Sequence, residues 1–206
     1  MKILLCAATV FEAGACQKAV RQAKASAKVS VLKTGMGGEA AASALTRALE
    51  SAIASGVQPE RVISTGFAGS RRALLKMGDV ITVRKVSSEG KSIPIVPAAI
   101  RSIPFREVSL EQVSKIMGAA GEDETGEVEA VDMESYSLAE VAARFQIPFS
   151  VIRIVSDDPE HPIPDGGWLE MVSSPLRLAR FIARSSSLPT KLRRLWEQLL
   201  TNEFRS

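Results

Sequence analysis

The sequence predicts an α/β fold: a three-layer sandwich with a mixed central sheet and helices on both faces. Three features carry the prediction. Two strand-length runs, Lys2–Ala8 (KILLCAA) and Phe149–Val155 (FSVIRIV), are almost continuously apolar, the pattern of strands covered on both sides. Strand-like and helix-like stretches alternate along most of the chain. No repeat or low-complexity linker divides the 206 residues, so a single domain over 1–206 is expected, with 176–206 as a basic helical segment at its C-terminal end.

The elements follow in order. After the first strand, Glu12 to Lys24 reads as a helix, with Ala15, Ala19 and Ala23 four apart on one face. Lys28–Thr34 (KVSVLKT) alternates polar and apolar residues and ends at Gly35-Met36-Gly37-Gly38, where glycine permits a tight turn. Alanine-rich Glu39–Ser55 is helical in spacing, with Gly56 placed to end it. Arg61–Thr65 is a strand that Gly66-Phe67-Ala68-Gly69 is expected to close, and Asp79–Val86 (DVITVRKV) is another. From Ser87 to Gly126 the signals weaken. Prolines at 94, 97 and 104 suggest connecting structure with one strand. A helix over Glu134–Phe145 ends before Pro148, the second apolar strand follows, and Leu176–Ser186 and Pro189–Asn202 read as a closing helix pair on the surface.

Composition narrows the chemistry. Apolar residues at 46% and charged residues at 24% suit a globular chain, and at this length roughly 70% of the unfolded surface should be buried without covalent staples. Two cysteines, Cys6 and Cys16, make no disulfide framework, and one histidine, His161, excludes any site built from several imidazoles. No metal is expected. No run approaches the ~20 apolar residues of a membrane span and no cleavage signal follows Met1, so a cytoplasmic protein is expected. The net charge of +3 is unevenly spread: residues 176–206 hold seven basic and two acidic side chains, leaving 19 basic and 21 acidic in the rest. That tail lacks aromatic interleaving or any nucleic-acid motif, so nucleic acid is not expected as a partner; its arginines read as solvated on a surface helix pair, with peripheral contact with an anionic membrane the lesser alternative.

Ligands of such folds gather where strands end. The strand ends here carry Thr9-Val10-Phe11-Glu12, Gly35-Met36-Gly37-Gly38, Thr65-Gly66-Phe67-Ala68-Gly69 and Ser156-Asp157-Asp158, while Val131-Asp132-Met133-Glu134-Ser135 opens a helix. Three carboxylates, Glu12, Glu134 and Asp157, can therefore meet in one crevice. Each also has a plain reading: Glu12 and Glu134 as charges that favour a helix start, Asp157 as the cap of a turn. The glycines match neither a Walker loop nor GxGxxG.

Taken together and in order, A-x-x-x-E after the first strand, T-G-M-G-G-x-A-A-A, S-T-G-x-A-G, G-D-V-I-T-V, V-D-M-E-S and R-I-V-S-D resemble the nucleoside phosphorylase/nucleosidase superfamily, over roughly Met1 to Asp157. Methylthioadenosine/S-adenosylhomocysteine nucleosidases belong to it. V-D-M-E-S, followed by S-D-D-P-E-H-P-I-P and a basic helical tail, is most similar to its hopanoid-associated phosphorylase-like subgroup. The resemblance implies the phosphorylase/hydrolase-like fold and cleavage of the N-ribosidic bond of a purine nucleoside. That bond breaks through an oxocarbenium-like sugar and a purine that leaves as an anion unless protonated. The matching positions imply Asp157 as the general acid to the base, a role worth ~10²–10⁴-fold that burial would favour by raising its pKa. They imply Glu134 on the ribose hydroxyls, Met133 beneath the sugar, and Glu12 activating the attacking water. Asp132, Ser156, Gly66, Phe67 and Ala68 are implied as further substrate contacts. No cofactor is implied.

Phosphate would be a co-substrate only in a phosphorylase. The family's phosphorylases use arginines near the first and third strands; here the third gives Ser64-Thr65-Gly66-Phe67, with Arg21, Arg71 and Arg72 the nearest candidates. Water is thus the expected acceptor. A phosphorylase, or a degenerate member that binds nucleoside without turnover and has Phe67 crowding the acceptor site, are the alternatives. The base shelf expected before V-D-M-E-S has only Phe105-Arg106-Glu107-Val108-Ser109 as an echo. His161 reads as an exposed loop residue, and Trp168 and Trp196 as packing residues. The resemblance also implies a homo-oligomer, with a dimer favoured.

Overall fold

A computed structural model describes residues 1–23, 27–97, 103–114, 127–157 and 186–204. The strands are β1 (Lys2–Ala7), β2 (Lys28–Lys33), β3 (Arg61–Ser70), β4 (Val80–Ser88), β5 (Lys91–Pro94), β6 (Arg106–Gln112), β7 (Ala130–Asp132) and β8 (Phe149–Asp157). The described helices are α1 (Val10–Gln22), α2 (Gly38–Ala54), α3 (Ser135–Arg144) and α4 (Leu188–Asn202).

All eight strands join one mixed sheet, ordered β2-β1-β3-β7-β6-β4-β5. β8 pairs parallel with β3 on one side and antiparallel with β4 on the other, so β3, β7, β6, β4 and β8 close into a ring. β1 and β2 extend the sheet from β3 in parallel.

Alternation along β1 sorts its side chains between two cores. Leu4 and Cys6 enter the cluster that contains Leu45 and Leu49 of α2 and Leu138 and Val141 of α3. Ile3 and Leu5 enter the cluster that contains Ala15, Cys16 and Ala19 of α1 and Leu192, Trp196 and Leu199 of α4. Helices thus cover both faces, as the apolar strands require.

The helix starts are specified locally. Thr9 and Glu12 form a capping box on α1. Asp132 accepts the backbone N–H groups of Glu134 (3.2 Å) and Ser135 (3.0 Å) at the start of α3. Pro189 stands in the first turn of α4.

Four expectations need correction. The glycines after Thr65 do not close β3, which continues to Ser70 with Gly66 opposite Arg153 and Gly69 opposite Asp157. The reason is a close approach described below. The weakly patterned stretch after Ser87 holds two strands, β5 and β6, held by β4 rather than by an apolar pattern of their own. The closing helix is not a surface element: Leu188, Leu192, Leu195, Trp196, Leu199 and Leu200 are buried, and Trp196 Nε1 donates to Thr65 Oγ1 at 2.9 Å. Its apolar stripe outweighs the positive charge of its other face. Finally, Phe105–Ser109 enters β6 at the end away from Asp132, with Phe105 packed on the α1–α4 cluster. Parallel pairing sends the other end of β6, at Gln112, toward Asp132. The expected helix at 176–186, His161 and Trp168 lie outside the described residues.

Candidate active site

Glu12 is the third residue of α1 and is only 5% exposed. Its Oε2 accepts from Thr9 N (2.8 Å) and Thr9 Oγ1 (2.7 Å), and its Oε1 accepts from Phe67 N (3.0 Å). The carboxylate lies directly over Gly66: a Cβ there would stand 2.2 Å from Oε1 and 2.8 Å from Cδ. Gly66 has φ +143, a backbone state side chains rarely adopt. The glycine therefore lets β3 pass beneath a buried carboxylate while still running as a strand.

Glu134 follows β7 and precedes α3, buried beside Glu12. Its Oε1 accepts from Gly37 N at 2.7 Å, at the start of α2, where Gly37 has φ +87. Burial, then the negative charge of Asp132, push its carboxyl up to about 7. The Gly37 N–H and the Arg153 guanidinium pull the other way, and Glu12 adds a further upward push. Nearby, Gln112 of β6 bonds both the N–H and the hydroxyl of Ser137 in α3, and these side chains fill the space beside Gly38 at the start of α2.

Asp132 points inward. Its Oδ2 accepts from Arg153 Nε (3.1 Å) and Nη2 (2.7 Å) and from Ser135 Oγ. Arg153 Nη2 also donates to Ser64 Oγ (2.7 Å) and Ser135 Oγ (2.9 Å). Arg153 is the residue sequence reasoning missed. A charge in the middle of an otherwise apolar strand was the available signal, since it must find a buried partner.

Asp157 ends β8, half-buried, with Oδ1 accepting from Ser156 Oγ at 2.5 Å; Ser156 Oγ also bonds Ala68 O. Pairing shifts here: Val155 faces Ala68 and Asp157 faces Gly69, so Ser156 is the extra residue of a bulge. A Cβ on Gly69 would stand 2.9 Å from Asp157 Oδ2. Asp157 and Glu12 thus approach β3 at Gly69 and Gly66, three residues or about 10 Å apart at the rise of a strand.

Ala68 is buried, and Met133 is half-buried between Asp132 and Glu134. Phe67 lends the site its N–H, while its ring packs on the α1–α4 cluster. Val10, Phe11 and Met36, neighbours in sequence of Glu12 and Gly37, are 60%, 73% and 66% exposed. Of the expected arginines, Arg71 pairs with Glu111 at 3.0 Å, Arg21 is exposed near the far end of α1, and Arg72 has a buried Nη2 with no partner. No group of three or more metal-ligating side chains occurs among the described residues.

The site therefore gathers three buried carboxylates, one of them bonded to a buried guanidinium, with a fourth carboxyl group on β8 opposite Gly69 of β3. The family model of the Phosphorylase superfamily matches residues 5–125 and 109–171, which contain every residue of this arrangement. The chain belongs to the phosphorylase superfamily. Among its relatives is a 5′-methylthioadenosine/S-adenosylhomocysteine nucleosidase of Glaesserella parasuis serovar 5, 28% identical over 160 residues that cover 63% of this chain and 67% of the relative. The fold matches a futalosine hydrolase mutant of Helicobacter pylori with a TM-score of 0.71 at 15% identity, over 98% of this chain and 99% of that one. It also matches the same type of nucleosidase from Neisseria meningitidis in complex with methylthio-immucillin-A, with a TM-score of 0.68 at 16% identity, over 96% and 99% of the two chains. This phosphorylase-superfamily member is thus similar to nucleosidases, hydrolases of N-glycosidic bonds. No described helix is long and apolar enough to cross a membrane.

Proposed function

We propose that this chain hydrolyses the N-ribosidic bond of a purine nucleoside or a nucleoside-containing metabolite. The observation that carries the reading is Glu12: a buried carboxylate held by three hydrogen bonds over a glycine that leaves it room, beside a second buried carboxylate. Such a group is oriented for a water at the sugar.

In the reaction the C1′–N9 bond breaks and its electron pair stays on the purine. Asp157 gives its proton to the five-membered ring of the leaving base. Water adds to C1′ and its proton passes to Glu12, so base and free sugar leave with one proton redistributed between the two carboxyl groups. Gly37 occupies one oxygen of Glu134, leaving Oε2 to accept a ribose hydroxyl. The excess of carboxylate over guanidinium stabilises the positive sugar as it forms, in a site where water screens little. Met133 packs under the sugar, while Gly66, Ala68 and Ser156 line the path between the two acid groups. Asp132 and Phe67 act on the site from behind, Asp132 through Glu134 and Phe67 through its N–H. This chemistry uses the chain's own side chains and no cofactor.

One observation favours phosphorolysis instead: just past the end of β3, Arg72 has a buried Nη2 with no hydrogen-bond partner among the described residues, a group able to hold an anion. Arg153 is committed to Asp132 and Arg71 to Glu111, so neither offers a free fork. The test is to incubate the protein with 5′-methylthioadenosine, S-adenosylhomocysteine, futalosine and unmodified purine nucleosides, with and without phosphate. Free sugar formed at the same rate without phosphate is the expected result. Sugar 1-phosphate would establish phosphorolysis, and binding of a nucleoside with no base released would mark a degenerate binder. The cytoplasmic setting and a homodimer remain part of the proposal, checked by fractionation and by sedimentation.

A further inference from the structure

Arg153 lies in the middle of β8 between Val151, Ile152, Ile154 and Val155, all essentially without exposure. Its guanidinium and the Asp132 carboxylate keep 3% and 1% of their side-chain surface. An ion pair removed so completely from water adds little net stability over apolar side chains of the same size. What it adds is direction. Asp132 uses Oδ1 for the N–H groups of Glu134 and Ser135, and Oδ2 for Arg153 and Ser135 Oγ. Arg153 in turn ties Ser135 of α3 to Ser64 of β3. Glu134 has no side-chain cap of its own at φ −133, ψ −26, so its backbone place is set by Asp132.

We infer that Arg153 and Asp132 form a positioning pair, which holds Glu134 against Gly37 and sets the electrostatic field at its carboxylate. The catalytic consequence rests on the nucleosidase reading; the placement does not. The groups facing Glu134 are Asp132 of β7, Arg153 of β8, Glu12 of α1 and the Gly37 N–H before α2. The negative charge of Asp132 acts on Glu134 more strongly than the positive charge of Arg153. Removing both charges together must therefore ease the ionisation of Glu134, whereas removing Arg153 alone must hinder it.

Two variants separate charge from geometry. Asp132→Asn/Arg153→Met keeps the Oδ1 acceptor at the helix start and leaves no unpaired buried charge, so it avoids the misfolding expected of Arg153→Met alone. Arg153→Lys keeps the charge but loses the planar fork. Glu134 ionisation is followed by carbon-13 NMR of its labelled carboxyl across pH in the unliganded protein, and kcat and KM are measured on the nucleoside turned over. The double variant should titrate at lower pH than the parent. Arg153→Lys should titrate close to the parent yet lose about 10- to 100-fold in kcat with KM within a few-fold, as a slightly misplaced group does. An unchanged titration in the double variant, or parental kcat in Arg153→Lys, would overturn the inference. The titration decides even if no nucleoside is cleaved, an outcome that would refute only the nucleosidase reading.

Discussion

Replacing Gly66 with alanine tests the close approach on which the site depends. The new Cβ would sit 2.2 Å from Glu12 Oε1, against the 3.0 Å or more that carbon and oxygen need, so the carboxylate must retreat by about 1 Å. The retreat breaks the 3.0 Å bond from Phe67 N and strains the pair from Thr9. A misplacement of about 1 Å in a catalytic group costs on the order of 10²-fold in rate. Holding alanine at φ +143 adds roughly 1–3 kcal/mol of strain, a fall of about 2–12 °C in Tm for a chain of this size. Single-turnover base release and thermal unfolding of the parent, Gly66→Ala, Glu12→Ala and the double variant measure both effects. Because the damage to turnover passes through Glu12, Gly66→Ala should cost little further activity once Glu12 is already alanine, a non-additivity that unconnected sites do not show. Parental turnover in Gly66→Ala, or equal losses in both backgrounds, would refute the reasoning.

Asp157→Asn should slow base release by at least ~10²-fold with nucleoside binding retained; unchanged release removes Asp157 as the acid. Glu134 is held at about 7 against an ordinary 4.5, so the fold disfavours its charged form. That penalty is absent below about pH 4.5, grows as pH rises to about 7, and is constant above. Glu134→Gln should therefore gain stability over the parent between pH 4 and pH 8, by about 3 kcal/mol, and urea unfolding at the two pH values with no such gain contradicts the burial argument. In the parent, kcat/KM should rise with pH to a shoulder near 7 as Glu134 ionises, and a flat acid limb denies it that role. Trp196→Ala should cost about 3–5 kcal/mol in urea unfolding, since the indole is fully buried and bonded to Thr65; a loss below about 1 kcal/mol means α4 is not part of the core.

Much of this was readable from local patterns. The alternation of strands and helices, the fold class and the superfamily follow from short motifs in a fixed order. Thr9-x-x-Glu12 is a capping-box signature, and the plain reading of Glu12 as a helix-start residue and its place in the site are the same geometry. Gly66–Gly69 misled because glycine marks both turns and close approaches. What comes close is Glu12, more than fifty residues away, and no window of sequence shows it. Arg153 is visible as a charge inside FSVIRIV, but its partner Asp132 lies in another strand, which no local pattern links to it. For α4, counting charge concealed a leucine and tryptophan stripe at helical spacing. Which end of β6 lies beside Asp132 is decided by strand order, not by local composition.

The packing of α4 on α1 has a consequence for biosynthesis. α1 carries Glu12 and is made before α4, yet the cluster beneath it is completed only when residues 188–202 are made. Until then the apolar side of α1 and the flank of β3 at Thr65 lack the cover that α4 gives them, and apolar surface exposed in this way is prone to aggregate. A chain stopped short of residue 188 would lose this cover along with the buttress behind β3. Truncated products would thus lose the cover of α1 and the support behind β3 together.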